Sequence, residues 1–235
     1  MTNVKKTDQA ADSSRTDTEA VATQETMTDI AVEEIRKRIV LGRLPAGTKL
    51  RVDVLATELS MSRVPVREAF RELLAEGLTE IYPWKGAVVT EVRRQDVEEG
   101  YRMLEYLEAM AAERCAAAAP EETAARMRPH LERLEALSAE ADPERYLEAH
   151  RALHFEVFRA LGPGLLQRTT RMIWHACERF INISAQGDRR QQAHREHAEL
   201  VRCYEHGDVV GAVGLTRMHV AHGREAALRG FGFVA

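Results

Sequence analysis

Residues 62–92 read SRVPVREAFRELLAEGLTEIYPWKGAVVTEV, and this stretch decides the fold of the N-terminal part of the chain. Its first half places apolar residues at helical spacing behind Ser62, a residue type that favours the N-cap. Pro65 falls in the first turn of that helix, where its missing N–H is tolerated. The second half changes to two short apolar runs, residues 78–82 and 87–92, joined by a turn. The stretch therefore predicts a helix followed by a β-hairpin.

Two further helices are predicted upstream of this stretch. The first begins at Thr28 or Asp29, either of which can cap a helix, and ends at Gly42. Asp53 is predicted to cap a second, short helix. Three helices followed by a small hairpin are the plan of a winged helix-turn-helix, which we assign to residues 29–93.

From residue 95 onward the sequence shows helical periodicity without a further strand pattern. Short breaks rich in Gly, Pro and Asp separate the helices, and such breaks favour antiparallel neighbours in a bundle. The fold class is therefore mainly α: an N-terminal winged helix-turn-helix, followed by an all-α antiparallel helical bundle over residues 95–230. The predicted bundle helices span residues 95–119, 121–140, 143–161, 164–186, 189–206 and 208–229.

The composition of the sequence indicates the cellular compartment of the protein. Residues 1–28 are rich in Thr, Ser, Asp and Gln, so we expect a disordered N-terminal tail. The sequence has no apolar run long enough for a membrane span and no secretory leader. Its three cysteines are an odd number and widely spaced, which predicts neither a disulfide framework nor a CxxC zinc pair. These features favour the cytoplasm.

Net charge is −4, which opposes indiscriminate binding to nucleic acid. Only residues 29–95 are positive, with twelve basic and ten acidic side chains. Because this excess is small, any contact with nucleic acid must come from the placement of charge on one face.

That placement is found on the helix that starts at Ser62. Arg63 and Arg67 are four residues apart, so they project from one face near the helix N-terminus, the part of a recognition helix that contacts base edges. Arg binds guanine O6 and N7 bidentately. Any single arginine here would also fit an ordinary solvated helix surface. DNA binding is favoured because the N-cap, the preceding turn, the basic side chains and the predicted wing all occur together. The predicted DNA-binding residues are Arg51, Ser62, Arg63, Pro65, Arg67, Lys85 and Gly86.

Residues 42–89, GRLPAGTKLRVDVLATELSMSRVPVREAFRELLAEGLTEIYPWKGAVV, resemble the N-terminal domain of GntR-type bacterial transcription regulators. The helical remainder resembles the FCD effector and dimerisation domain of the FadR branch, and together the two cover about residues 30–230. The resemblance implies a homodimer that binds an inverted-repeat operator under the control of a small-molecule effector, for example an organic acid. Val52 and Phe70 depart from the family, which usually has Glu and Leu there.

Four histidines form a candidate metal site. His150 and His154 share one helix face, and His197 and His219 lie on later helices that a bundle can bring to the same point. Imidazole suits divalent metals, zinc or nickel above all, although helical spacing alone equally fits core histidines. The resemblance to FCD domains implies a metal site, because many of these domains bind a metal through one Asp and three His. His154, His197 and His219 stand at the three His positions of that pattern.

His150 departs from that family pattern, because it stands where the family has Asp or Asn. The quartet is therefore either a four-histidine metal site or the polar floor of an effector pocket. His194 and His222 lie one turn from the quartet and are expected to support it or to lie at the surface.

The candidate effector pocket is assigned to Tyr101, Leu104 and Trp174. Leu104 stands where many relatives carry an inward Arg suited to a carboxylate. Spacing also fits a core position for Trp174.

The alternative function is a metal-dependent enzyme that uses the His cluster. It would need HExxH or paired ExxH motifs, whereas the segment from His194 to His197 has the wrong order. A purely architectural DNA binder would not need a second domain. The sequence therefore predicts a ligand-responsive, sequence-specific transcriptional regulator rather than an enzyme.

Overall fold

The computed structural model describes residues 26–137 and 142–233. Within these ranges the chain is mainly helical, with one small antiparallel sheet. In chain order the elements are α1 (Met27–Val40), α2 (Val52–Glu58), α3 (Arg63–Ala75), β1 (Thr79–Tyr82), β2 (Gly86–Val89), α4 (Arg94–Ala118), α5 (Pro120–Ala136), α6 (Pro143–Ala160), α7 (Leu165–Ser184), α8 (Asp188–Glu205) and α9 (Val209–Gly230). The predicted fold class is confirmed.

The start of α1 differs from the prediction. Its N-cap is Thr26, whose hydroxyl oxygen accepts a hydrogen bond from the Asp29 N–H, while the Asp29 carboxylate accepts one from the Thr26 N–H. This reciprocal capping box satisfies two N–H groups that the helix itself cannot pair. Thr28, proposed as a cap, lies inside the helix. Residues 26–28 of the segment expected to be disordered are therefore ordered, and the rest of that segment lies outside the described residues.

The second predicted cap is also displaced. Helix α2 begins at Val52 behind Arg51, so Asp53 lies in the first turn instead of at the N-cap. An acidic side chain in the first turn still favours the helix through its dipole. Ser62 holds the predicted N-cap position of α3, but its side chain makes no capping hydrogen bond within the described part of the chain.

The hairpin β1–β2 forms the wing. Its register pairs Thr79 with Val89 and Tyr82 with Gly86. Gly86 has a φ of +80°, a conformation that favours glycine because it has no Cβ. The wing and the three N-terminal helices close over one apolar core, whose buried members are Ala31, Val32, Ile35, Ile39, Leu50, Leu55, Ala56, Val66, Ala69, Phe70, Leu73, Leu78, Ala87 and Val89.

Helices α4–α9 form the bundle, in which the 25-residue α4 packs along α9 and α7. The helix predicted over residues 121–140 ends earlier, at Ala136, and residues 138–140 lie outside the described ranges. Across the described residues, no helix combines the length and the apolar character that a membrane crossing needs.

Candidate DNA-reading surface and histidine cavity

Two arginines lie exposed to solvent at the N-terminal end of helix α3. Arg63 and Arg67 are both exposed and lie one turn apart. The Arg63 Nε lies 3.0 Å from an Asp53 carboxylate oxygen, so α2 holds this guanidinium at the helix entrance. Both side chains are exposed and can meet an anionic surface, Arg63 from its ion pair with Asp53.

The other predicted contacts surround this entrance. Arg51 is exposed at the N-cap of α2, and Ser62 is exposed at the N-cap of α3. Pro65 lies in the first turn of α3 and is half-buried. Since the Ser62 hydroxyl is not used as a cap within the described chain, it can donate to an external oxygen.

The wing tip carries a feature that the sequence analysis did not single out. Trp84 is fully exposed, beside Lys85, whose Nζ lies 5.9 Å from the centre of the Tyr82 ring. The backbone at Gly86 is open, because a Cβ placed there would meet no atom within 4 Å. An aromatic ring and an ammonium group together suit the sugar walls and phosphates of a groove.

The four predicted histidines meet in the interior of the bundle. His150 and His154 come from α6, His197 from α8 and His219 from α9, and each is buried. One ring nitrogen from each residue lies within 4.8 Å of the corresponding nitrogens of the other three. Three helices therefore supply four imidazoles to one point.

This spacing fits a metal ion. The Nε2 atom of His197 lies 3.2 Å from the His154 Nε2 and 3.3 Å from the His219 Nε2. Zinc bound to imidazole at about 2.05 Å in tetrahedral geometry separates neighbouring nitrogens by about 3.3 Å. A divalent ion bound here would supply two positive charges to the cavity and would join α6, α8 and α9.

Two buried carboxylates orient the rings, and sequence reasoning missed both of them. The His154 Nδ1 lies 2.8 Å from Glu108, and the His219 Nδ1 lies 2.8 Å from Glu196. Each carboxylate accepts from Nδ1–H and leaves Nε2 as the lone-pair nitrogen, a common arrangement behind metal-ligating histidines. Glu108 follows Tyr101 and Leu104 at helical spacing, so a charge on the buried face of α4 was the available signal.

His222 and His194 support this arrangement from outside the quartet. The His222 Nδ1 lies 2.7 Å from the second oxygen of Glu196. The His194 Nε2 lies 3.3 Å from the Tyr146 hydroxyl.

Burial favours the neutral, ligating form of three of the four imidazoles, those of His150, His197 and His219. It lowers the pKa of His150 and of His197 well below the ordinary value, and the neighbouring histidines lower both further. Burial also lowers the pKa of His219, to about 4, although the hydrogen bond to Glu196 opposes it. For Glu196, burial favours a higher pKa, but the hydrogen bonds from His219 and His222 and the charge of Arg189 lower it to about 2. Neutral imidazole is the form that binds metals.

A small cavity adjoins the quartet. Its volume is about 40 Å³, and the three predicted pocket residues, Tyr101, Leu104 and Trp174, lie in its wall. The Tyr101 hydroxyl lies 2.9 Å from the Ser184 hydroxyl oxygen on the same wall. His150, His154 and His219 lie in the same wall, so three of the four histidines line the cavity together with the predicted pocket residues.

Helix α7 connects this cavity to the N-terminal unit. Trp174 and Ile181 line the cavity, whereas Asn182 donates from Nδ2 to the Val40 carbonyl oxygen at 2.9 Å. Arg179 donates from Nη1 to the Thr90 carbonyl oxygen at 2.8 Å. One helix thus contacts the cavity and also the winged unit, at the end of α1 and directly after β2.

Comparisons with known proteins agree with this architecture. Residues 28–89 match the bacterial regulatory proteins of the gntR family, and residues 99–222 match the FCD domain. The chain therefore belongs to the GntR family of bacterial transcription regulators and carries an FCD effector domain. It is a DNA-binding regulator of transcription, and the predicted family is confirmed.

Among individual relatives, a repressor named for a D-xylose utilization operon of Paenarthrobacter nicotinovorans is 30% identical over 207 residues, which cover 86% of this chain and 91% of the relative. The solved structure of Escherichia coli McbR/YncC superposes with a TM-score of 0.77 at 18% identity and covers 88% of this chain and all of that one. A GntR regulator from Rhodococcus sp. RHA1 gives 0.72 at 18% identity, over 88% and 99% of the two chains. The relatives and both domain families are those of transcription regulators rather than of enzymes.

Proposed function

We propose that this protein is a homodimeric repressor that binds an inverted-repeat operator through α3. Arg63 and Arg67 read guanines in the major groove, and Arg51 and Ser62 hold the phosphates beside them. The exposed arginine pair at the helix entrance supports this assignment. Repression is favoured because the D-xylose relative is itself named as a repressor.

The wing adds contacts that do not depend on sequence. Lys85 meets a phosphate, and Gly86 allows the wing backbone to approach the duplex. The exposed position of both residues at the hairpin tip supports this role. We expect the wing to contribute to affinity for all duplexes alike.

Dimerisation is assigned to the exposed face of α4. Met103, Tyr106 and Met110 lie at spacings of three and four residues and are 45%, 60% and 50% exposed, an apolar stripe on one side of a long helix. Pairing two such stripes brings two copies of α3 to a fixed separation, as a two-fold symmetric operator requires.

The histidine quartet is proposed to hold zinc or nickel. The nitrogen spacings near 3.3 Å and the carboxylates behind His154 and His219 support a tetrahedral ion. A small effector enters the adjoining cavity and shifts the equilibrium between two bundle arrangements, provided that it binds one of them better.

The exposed arginine pair of α3 carries the DNA-binding proposal, and the contacts of α7 support the coupling of effector to operator. This helix lines the effector cavity with Trp174 and is hydrogen-bonded to the winged unit through Asn182 and Arg179. We therefore expect a displacement of α7 on the cavity side to reach the DNA-binding unit at the end of α1 and directly after β2.

The experiment is selection of bound duplexes from random DNA, followed by measurement of the mass of the complex. The proposal expects an inverted repeat bound by two protomers. Tyr106→Glu is expected to dissociate the dimer and to lower operator affinity, whereas Glu105→Gln, next to it on α4, is the control. A selected site without symmetry, or a complex with one protomer, contradicts the proposal.

A further inference from the structure

The tip of the wing is a tight turn that carries a fully exposed tryptophan. Residues 82–85 form a β-turn, closed by a hydrogen bond of 3.2 Å from the Lys85 N–H to the Tyr82 carbonyl oxygen. Pro83 stands at the second position of this turn, where its ring fixes φ, and Trp84 follows at the third. The pairing of Tyr82 with Gly86 supports the turn from the hairpin side. The backbone that carries the indole is therefore ordered before any partner binds.

The indole ring of Trp84 is not packed against the protein. It is 102% exposed, whereas the other tryptophan, Trp174, is 2% exposed. Ile81 and Tyr82, on the strand that leads to the tip, are 51% and 45% exposed. A single exposed apolar residue needs no explanation, but three of them within four positions form an apolar edge. Removal of this edge from water is favourable, so the wing offers a large aromatic surface to a partner.

The charge beside the ring indicates the kind of partner. Lys85 follows Trp84 in the chain, and its Nζ lies 5.9 Å from the centre of the Tyr82 ring, a cation–π contact. An apolar ring next to an ammonium group matches a nucleic-acid groove, where the sugars and base faces are apolar and the phosphates are negative. The same unit carries the exposed arginine pair of α3. Duplex DNA is therefore the partner that continues the surface described above.

We propose that Trp84 is a wedge that enters the minor groove of the duplex and partly unstacks one base step. The proposal rests on the proposed docking of α3 in the major groove, because the groove next to a major groove along the duplex is the minor groove. Apolar side chains inserted from the minor groove kink DNA by about 20–90°. The fixed turn lowers the conformational entropy that insertion costs, and an aromatic ring stacks on every base. Trp84 thus adds affinity for all duplexes alike, together with a bend.

The first test uses the indole itself as the probe. The chain has two tryptophans, of which Trp84 is the exposed one. A short duplex of mixed sequence is titrated into the full chain at low salt, because stacking does not require an operator. Tryptophan emission is expected to fall, and acrylamide is expected to quench the remaining emission less. Trp84→Phe leaves Trp174 as the single tryptophan, and the emission of this variant should not respond to DNA.

The second test measures affinity and bending. Trp84→Ala should keep the wild-type Tm, because the ring is fully exposed, and should weaken binding to the mixed-sequence duplex and to the selected operator by about tenfold to 100-fold each. Energy transfer between dyes at the ends of either duplex should show a bend with the wild type and a straighter duplex with Trp84→Ala. The fluorescent base 2-aminopurine, moved along the operator, should brighten at one step of each half-site. Met27→Ala removes another exposed apolar side chain of the winged unit and is the matched control, expected to leave affinity and bend unchanged.

Unchanged duplex affinity in Trp84→Ala, or emission that does not respond to DNA, would overturn the contact. Lost affinity with an unchanged bend and silent 2-aminopurine would show that the ring lies against the sugars outside the base stack, and would overturn the wedge. A wild-type protein without a specific operator contradicts the proposed function instead. The emission, affinity and bend measured on the mixed-sequence duplex need no operator and still judge the role of Trp84.

Discussion

Removal of the metal is expected to destabilise the bundle by an amount that linkage predicts. With free zinc about 100-fold above its Kd, binding to the native state contributes about 2.7 kcal/mol. For a protein of this size each kcal/mol shifts the Tm by about 2–4 °C, so chelation should lower the Tm by about 5–11 °C. The expectation rests on nitrogen spacings of 3.2 and 3.3 Å, which match a tetrahedral ion.

His197→Ala is the variant that isolates this contribution. Replacing His154 would leave the buried Glu108 carboxylate without its imidazole donor, and replacing His219 would remove one of the donors to Glu196, so both variants would lose stability for a reason unrelated to metal. The Nδ1 of His197 has no partner among the described residues, so its truncation leaves no carboxylate unpaired.

Calorimetry with and without chelator, together with elemental analysis, gives the readout. His197→Ala should bind no stoichiometric metal and should show no shift on chelation, whatever its own starting Tm. His194→Ala removes a neighbouring histidine that contacts Tyr146 and should keep the full shift. Wild-type protein that takes up neither zinc nor nickel and does not respond to chelator would refute the metal assignment.

Three further predictions test other parts of the account. Thr26→Ala removes the capping box of α1 and should lower the free energy of unfolding of the winged unit by about 0.5–2 kcal/mol in chemical denaturation, while Thr28→Ala should change it far less; equal effects would contradict the cap. His150→Asp places an anionic ligand in the quartet and should tighten zinc binding in titration calorimetry, and a weaker or unchanged Kd would count against a shared site. Asn182→Ala removes the hydrogen bond from α7 to Val40 and should reduce the fold-change in operator affinity that chelation produces, so an undiminished fold-change would show that the coupling does not depend on this contact.

The winged unit was largely predictable because its signals are local. The run from Ser62 to Gly86 contains the helix start, the apolar spacing and the hairpin turn within one short stretch. The caps of α1 and α2 were assigned wrongly, because several Thr and Asp residues stand near each helix start. The Thr26–Asp29 pair carried the deciding signal, a hydroxyl and a carboxylate three residues apart.

The histidine site was predictable only in part. Spacing placed His150 and His154 on one face, but the approach of His197 and His219 rested on the family resemblance. Glu108 was missed because its partner His154 comes from another helix, and no local pattern encodes a contact between distant helices. Arg189 in particular reads as an ordinary first-turn arginine until the fold places it beside His219.

Reading of DNA by α3 is the central claim, and operator binding at fixed salt by Arg67→Ala tests it most directly. Fluorescence anisotropy would compare the selected operator with random duplex, with Arg71→Ala, one turn further along the helix, as control. The account predicts that Arg67→Ala weakens operator binding by about tenfold to 100-fold and barely changes binding to random duplex. Lys85→Ala should weaken both about equally. Unchanged operator affinity in Arg67→Ala, or an equal loss on both duplexes, would contradict the claim that this helix reads the sequence.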